Sequence, residues 1–293
     1  MLTYPVLLAH GIGNRDDYAH LRYWGRVPDF LRSLGCTVIL AGTDACGTIA
    51  NNAMQIRARL EALQKQGITG VHVLGHSKGG LDARYLLANH LDYKMIRSLT
   101  TLCTPHRGAP VFDFLLRSVS VPFARAIAST CDSLCRLSGD QDPQLLAALH
   151  ELTPRSMASF NQHYQDLEAK NEAEHTGPVC LWFGSTLPAV GWRPLRLAYR
   201  ITQRHAGAND GIVPVSSMSW GLDGEVLLKQ WGLWNAEVAA TLSMPHYLVT
   251  DQNMRGRSIL VPRSMSTQLP LPFYRAWVSL AGILETQTTL QAT

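Results

Sequence analysis

The stretch from Val71 to Gly80, Val-His-Val-Leu-Gly-His-Ser-Lys-Gly-Gly, constrains this chain more than any other. Val71, Val73 and Leu74 form a short apolar run rich in β-branched residues, the composition of a buried strand. Leu81 to Ala88 continues with helical character. Between them, Gly75, Ser77 and Gly79 supply Gly-x-Ser-x-Gly. Strand, tight turn and helix, in that order, present a serine hydroxyl at the tip of a sharp bend. The glycines keep side chains away from the turning backbone, and the N–H groups of the helix start favour negative charge. The spacing predicts Ser77 as a nucleophile. The plainer alternative is a glycine-rich loop that matches the pattern by chance.

The flanking segments repeat the same rhythm. Tyr4 to Ala9 is a predicted strand that runs into His10-Gly11-Ile12-Gly13-Asn14. Pro28 opens a short helix that reaches Leu34 and stops at Gly35. Cys36 to Leu40 is a second strand. Asn51 or Asn52 is expected to cap a helix with Ile56, Leu60 and Leu63 on one face, ended by Gly67. Ile96 to Cys103 is another strand, and Thr104-Pro105-His106-Arg107-Gly108 follows it. This alternation predicts an α/β fold with a mostly parallel central sheet flanked by helices on both faces.

Val111 to Tyr164 breaks the rhythm. It has no strand pattern and carries apolar residues at helical spacing, including Phe112, Leu115, Leu116, Val119 and Phe123. The expectation is a helical lid inserted over a pocket, with Phe112, Leu116 and Phe123 as candidates to line an acyl site. Glu168 to Thr176 is expected as a charged connector, Val179 to Phe183 as a strand, and Leu269 to Leu284 as a final helix. With no repeat, low-complexity tract or linker, residues 1–293 form one expected domain with 111–164 inserted in it.

The totals exclude several classes. A hydrophobic content of 46% with 16% charged residues fits a folded globule. A net charge of +4, scattered rather than clustered, gives no footprint for nucleic acid. No apolar run approaches the roughly 18–20 residues of a membrane span. The first apolar run is short and lacks a basic lead-in, so no signal peptide is expected. The expected location is cytoplasmic, or extracellular if a leader has been removed. The six cysteines show no metal-type spacing. Cys131 and Cys135, one helical turn apart, suit neither zinc nor an easily closed disulfide. The expectation is buried or free thiols, with one distant disulfide as the alternative.

A serine hydroxyl needs a histidine base, and the base needs a carboxylate to orient it. Folds with this elbow place serine, acid and histidine in that chain order. Asp210, in the tight Asn209-Asp210-Gly211 turn before an apolar run, is the strongest acid, although Asp-Gly is also an ordinary turn. Asp223 is held in reserve. Among the histidines that follow Asp210, only His246 remains. His205 precedes the acid. His10, His76 and His106 lie at strand ends and are expected to hold loops. His90, His150, His163 and His175 read as surface residues. The backbone N–H groups of Ile12 and Lys78 are the expected oxyanion donors, a contribution of a few kcal/mol in the transition state. The Lys78 side chain is expected in solvent.

At these residues the chain resembles the bacterial true lipases of family I, the Pseudomonas and Burkholderia triacylglycerol lipases and their esterase relatives. The matching blocks are Tyr4 to Gly11, Tyr23-Trp24 with Pro28, Gly75 to Leu81 with Arg84-Tyr85, Thr104 to Gly108, Asn209 to Pro214 and the late His246. The resemblance implies an α/β-hydrolase fold and the triad Ser77, Asp210 and His246. It also implies an oxyanion hole at Ile12 and Lys78 and a mobile lid over 111–164. The implied reaction is hydrolysis of acyl esters or lipids through an acyl-enzyme, with transient contact at a lipid interface. An acyltransferase or thioesterase on the same triad is the alternative, and a silent binding protein a further one. Many of these lipases hold a structural calcium. Here Leu248 stands where the family has a carboxylate just after the histidine, and no Asp or Glu lies between Glu174 and Asp210. Calcium prefers several carboxylate oxygens, so the calcium site is expected to be absent and no cofactor is expected.

Overall fold

The apolar alternation in the first strands buries both faces of one sheet. In the computed structural model, strand β1 (Val6–Ala9) sends Val6 and Leu8 to one face and Leu7 and Ala9 to the other, all fully buried. Strand β3 (Val71–His76) is likewise buried along its whole length. The structure describes residues 2–13, 15, 23–89, 95–173, 178–185 and 196–219, together with 274, 275, 277–279, 281, 282 and 285; side chains are described only to 164 in the 95–173 segment and not at 179.

Five parallel strands pair in the order β2-β1-β3-β4-β5, with β2 at Val38–Leu40, β4 at Ile96–Leu102 and β5 at Val179–Phe183. Every strand that the alternation predicts is therefore present. On one face, α1 (Val27–Ser33) brings Val27 and Leu31 against Val6, Leu8 and Leu74, beside Tyr23 and Trp24. On the other, α2 (Ile49–Lys65) and α3 (Lys78–Asn89) cover Leu7, Val71 and Val73 with Ile56, Leu60 and Leu86.

Two expectations are corrected. Thr48, not Asn51 or Asn52, caps α2: its hydroxyl accepts from the Asn51 N–H at 3.2 Å. Asn52 is buried instead and donates to the Asp44 carbonyl at 3.0 Å. The expected connector at 168–176 continues a helix, α7 (Pro154–Ala173), because Leu167, Glu168, Ala169 and Lys170 are strong helix formers. Between β4 and α7 lie three further helices: α4 (Pro110–Arg117), α5 (Val121–Leu137) and α6 (Leu145–Glu151). The insertion is thus helical, as expected. After β5 come α8 (Arg196–Ala206) and the single turn α9 (Val215–Met218). Among the described residues, no helix is long and apolar enough to cross a membrane.

The described residues of the final segment are helical and lock onto the sheet. Trp277 donates its indole N–H to the Thr100 hydroxyl at 3.1 Å. Glu285 accepts from the Thr3 and Tyr4 N–H groups at 2.8 and 2.9 Å and meets the His72 ring at 3.0 Å. Burial pulls the His72 pKa below its ordinary 6.5, against the pull of Glu285. Burial opposes ionisation of Glu285, but its hydrogen bonds from Thr3, Tyr4 and His72 win and hold its pKa low. A His that resists protonation when folded binds fewer protons than the unfolded chain, so its contribution is full above pH ~6.5 and is lost below it. The Glu285 contribution is lost only below pH ~4.5, as the carboxylate is forced to protonate. Melting temperature should therefore be flat above neutrality and fall as pH drops from 6.5 to 5, and His72→Gln should make that fall shallower.

Candidate active site

The β3–α3 turn puts Ser77 in the left-handed region, with φ 53°. A non-glycine residue held there costs roughly 1–3 kcal/mol and persists only when its surroundings fix it. Here the Ser77 N–H donates to the Leu102 carbonyl at 2.9 Å, and the Ser77 carbonyl accepts from the Gly80 N–H at 3.1 Å. The neighbouring glycines are required by space. A Cβ on Gly75 would stand 2.6 Å from the Gly80 Cα, and one on Gly79 would collide with the backbone carbonyls of Ala9 and His10. Ser77 is 7% exposed.

The His10-Gly11-Ile12-Gly13 loop leaves the end of β1 and packs directly on this turn. A Cβ on Gly11 would lie 2.8 Å from the Ser77 Cβ and 2.5 Å from the Tyr23 hydroxyl. The loop is fixed from behind. His10 ring nitrogens lie 2.7 Å from the Gly11 carbonyl and 2.9 Å from the Thr43 carbonyl, and the Gly13 N–H donates to the Ala45 carbonyl at 2.8 Å. Ile12 is partly buried against Ile49, Leu81, Leu152 and Met157. His76, beside the serine, is buried, and its Nδ1 meets the Tyr23 hydroxyl at 2.6 Å. The strand-end histidines thus hold loops, as their positions suggest. His106 fits the same pattern: it meets the Thr101 hydroxyl at 3.1 Å, and burial, with Arg84 and Arg107 nearby, holds its pKa well below 6.5.

Lys78 departs from expectation. Its side chain is 1% exposed, not solvated, and Nζ lies 2.7 Å from Asp82 Oδ1. The i,i+4 spacing puts both residues on the α3 face turned toward α2, where Asn52 donates to Asp82 Oδ2 at 3.1 Å. Burial raises the Asp82 pKa, while Lys78 and Asn52 pull it back.

Asp210 is fully buried in a tight loop. Its Oδ1 accepts from the Ile212 and Val213 N–H groups at 3.0 and 2.8 Å, and Asn209 Oδ1 accepts from the Gly211 N–H at 2.9 Å. The tight Asn209-Asp210-Gly211 turn is present, with its carboxylate buried. Cys103, just after β4, links the Asp210 loop to the Ser77 turn. The peptide before it accepts from Ser77 through the Leu102 carbonyl, and the Cys103 thiol reaches the Asp210 carboxylate and, at 3.3 Å, the Ser185 hydroxyl. Burial and then the Asp210 charge push the Cys103 thiol well above its ordinary pKa, so it stays protonated.

Sequence reasoning missed Arg107. Its backbone N–H donates to the Ser217 hydroxyl at 3.0 Å, and its guanidinium donates to the Ser216 and Ser219 carbonyls at 2.9 and 2.6 Å. The Ser217 hydroxyl donates in turn to the Gly108 carbonyl at 2.6 Å. These bonds clamp the exit of the Asp210 loop to the end of β4. The signal was its place in Thr104 to Gly108, directly after a strand that ends at the site. Arg84, in the Arg-Tyr block, donates to Asn161 at 2.8 Å and lies over the Phe160 ring, tying α3 to α7.

Phe112 packs on the same cluster as Ile12, and Leu116 is partly buried. Phe123 is 58% exposed. His246, the reserve Asp223 and Leu248 lie outside the described residues.

The model for the palmitoyl protein thioesterase family matches residues 5–171. A triacylglycerol lipase of Pseudarthrobacter phenanthrenivorans is 30% identical over 173 residues, 55% of this chain and 54% of that protein. Triacylglycerol lipase 2 of Saccharomyces cerevisiae is 29% identical over 210 residues, 69% of this chain and 58% of that protein. The chain spans about half the length of the curated relatives it matches. The crystal structure of Staphylococcus hyicus lipase superposes with a TM-score of 0.67 at 15% identity, over 98% of this chain and 97% of that one. That likeness identifies the fold as an α/β-hydrolase.

Removing the Lys78 ammonium leaves Asp82 buried without its ion pair. Lys78→Met should destabilise the protein by about 3–5 kcal/mol. Adding Asp82→Leu should restore most of the loss, since the pair is then replaced by apolar packing. Urea unfolding of wild type, single and double variants reads both effects.

Proposed function

This chain belongs to the palmitoyl protein thioesterase family, and on that premise we propose that it is a serine carboxylic-ester hydrolase acting on acyl or lipid esters. The observation that carries the reading is the Ser77 turn, held in a strained conformation with the Gly11 loop packed against it. Backbone strain concentrates at functional sites, and a serine at the tip of a strand-to-helix turn is the placement a nucleophile needs.

In this reading Ser77 Oγ attacks the ester carbonyl while His246 takes its proton. Asp210, already ordered by two backbone N–H groups, holds the imidazole in its tautomer and stabilises the imidazolium. The Ile12 and Lys78 N–H groups receive the oxyanion. His246 then protonates the departing alcohol, leaving an acyl-enzyme, and water attacks it through a second oxyanion. Residues 111–164 act as the lid. In support, α4 and α5 expose Phe114, Leu115, Val121, Phe123, Ile127, Leu134 and Leu137, an apolar surface suited to acyl chains or a lipid interface. The named activities of the lipase relatives support the same chemistry.

A second reading is hydrolysis of acyl thioesters, favoured by the description of the matching family. The triad and oxyanion hole are unchanged and only the leaving group differs, a thiol that departs more readily than an alcohol. No step passes through calcium. The calcium positions of the lipases that the chain resembles hold Leu248 and a stretch without Asp or Glu from 175 to 209, which do not fit the ion.

The test is hydrolysis of p-nitrophenyl esters from short to long acyl chains, beside acyl thioesters of the same chains. Wild type should cleave the oxyesters, with Ser77→Ala and His246→Ala lowering kcat by about 10³-fold or more and Asp210→Asn by a similar order. Full activity of Ser77→Ala refutes the reading, and a preference for thioesters selects the second one. A calcium chelator should change neither the rate nor the melting temperature. A loss that calcium alone restores would refute the cofactor-free reading.

A further inference from the structure

The end of α5 docks on the loop between β2 and α2. The Cys46 N–H donates to the Asp140 carboxylate at 3.0 Å, and the Cys46 carbonyl accepts from the Gln144 N–H at 2.8 Å. The Asp44 carboxylate accepts from the Gln141 and Asp142 N–H groups, both at 2.8 Å. The Asp140 N–H closes the turn on the Cys135 carbonyl at 2.9 Å, and Arg15 pairs with Asp140 at 3.2 Å. Within this dock the thiols of Cys46 and Cys135 lie 3.3 Å apart, although 89 residues separate them in the chain. We propose that Cys46 and Cys135 form a reversible disulfide that fastens α5 to the catalytic body.

The geometry favours a disulfide over a metal site. A disulfide needs the sulfurs at about 2.0 Å, a small approach from their present separation. The nearest further donor is Asp140, and these three form the one group of possible ligands among the described residues. Its carboxylate is already occupied by Arg15 and by the Cys46 N–H. Burial raises the pKa of both thiols, that of Cys46 most, which slows disulfide exchange and metal binding alike, since both need thiolates.

The oxidant is a small-molecule disulfide. The half-buried Cys135 meets it first, because Cys46 is buried. The Cys135 thiolate attacks one sulfur of the oxidant, forming a mixed disulfide and releasing one small thiol. The Cys46 thiolate then attacks Cys135 Sγ, closing the protein disulfide and expelling the second small thiol. The two protein thiols lose two electrons and two protons in all, and the oxidant becomes two thiols. Their raised pKa values make the exchange slow near neutrality and faster as pH rises.

Oxidation changes what α5 can do. The helix has one buried residue, Ala128, and exposes Val121, Phe123, Ile127, Leu134 and Leu137. In the reduced protein its C-terminal end is held by hydrogen bonds and the Arg15–Asp140 pair. In the oxidised protein that end cannot leave the β2–α2 loop. The tether is independent of the ester chemistry, and its test does not use activity.

The full chain is incubated with glutathione disulfide at pH 8.5 and digested under non-reducing conditions. The expected result is one cross-linked peptide pair carrying Cys46 and Cys135, two fewer titratable thiols of the six, and reversal by dithiothreitol. The melting temperature should rise by about 5–10 °C on oxidation, because the bond closes a long loop of the unfolded chain. Cys135→Ser, at a half-buried position that tolerates serine, should abolish both effects. Cys131→Ser, one turn earlier on the same helix, should keep both. The proposal is overturned if the only products are mixed disulfides, if Cys135 links to another cysteine, or if stoichiometric zinc protects both thiols from alkylation.

Discussion

One strained residue sets the tolerances of this molecule. Ser77 sits in a backbone region that L-residues avoid, and it is kept there by contacts that belong to three different strands. Its own strand, β3, delivers it. The end of β4 accepts its N–H. The loop after β1 presses Gly11 against its Cβ. Each contact needs its strand to stop at a fixed level, so the register of β1, β3 and β4 and the geometry of the site are one requirement. That is why the parallel sheet is buried so completely under helices on both faces. A sheet free to slip by one residue would carry the serine away from these contacts.

The buried polar groups around the turn serve the same end. His10, His76 and His106 each use a ring nitrogen to hold a loop or a neighbouring hydroxyl. Lys78 and Asp82, with Asn52, fix the first turn of α3 against α2. Their contacts fix the loops and the helix start that surround Ser77.

Much of this was readable from residue order alone. The strands, the elbow and the acid loop follow from apolar period, glycine position and the Asn-Asp-Gly turn, all of which are local signals. What escaped was tertiary. Thr48 and Asn51–Asn52 compete for the same helix start, and only the packing of Asn52 on Asp44 and Asp82 decides between them. Lys78 looked like a surface lysine because its pair with Asp82, four residues on in the same helix, is buried only by the packing of α2 over it. Arg107 makes main-chain contacts about 110 residues away, which no spacing rule encodes. Cys131 and Cys135 drew attention to each other by sequence proximity, while the thiol beside Cys135 comes from the β2–α2 loop. His246, the proposed base, lies outside the described residues.

The Arg107 clamp has a meaning for how such a scaffold diversifies. Ser77 and the Asp210 loop, the proposed nucleophile and acid, are both referenced to a single point, the last residues of β4 and the turn that follows them. The helices between that turn and β5 leave from the point and return to the sheet without carrying either group. Their inner positions are tied to the body through Leu152, Met157 and Asn161, but the outward residues of α4 and α5 touch neither group. Those outward positions can change in size and polarity while the contacts at the end of β4 stay constant.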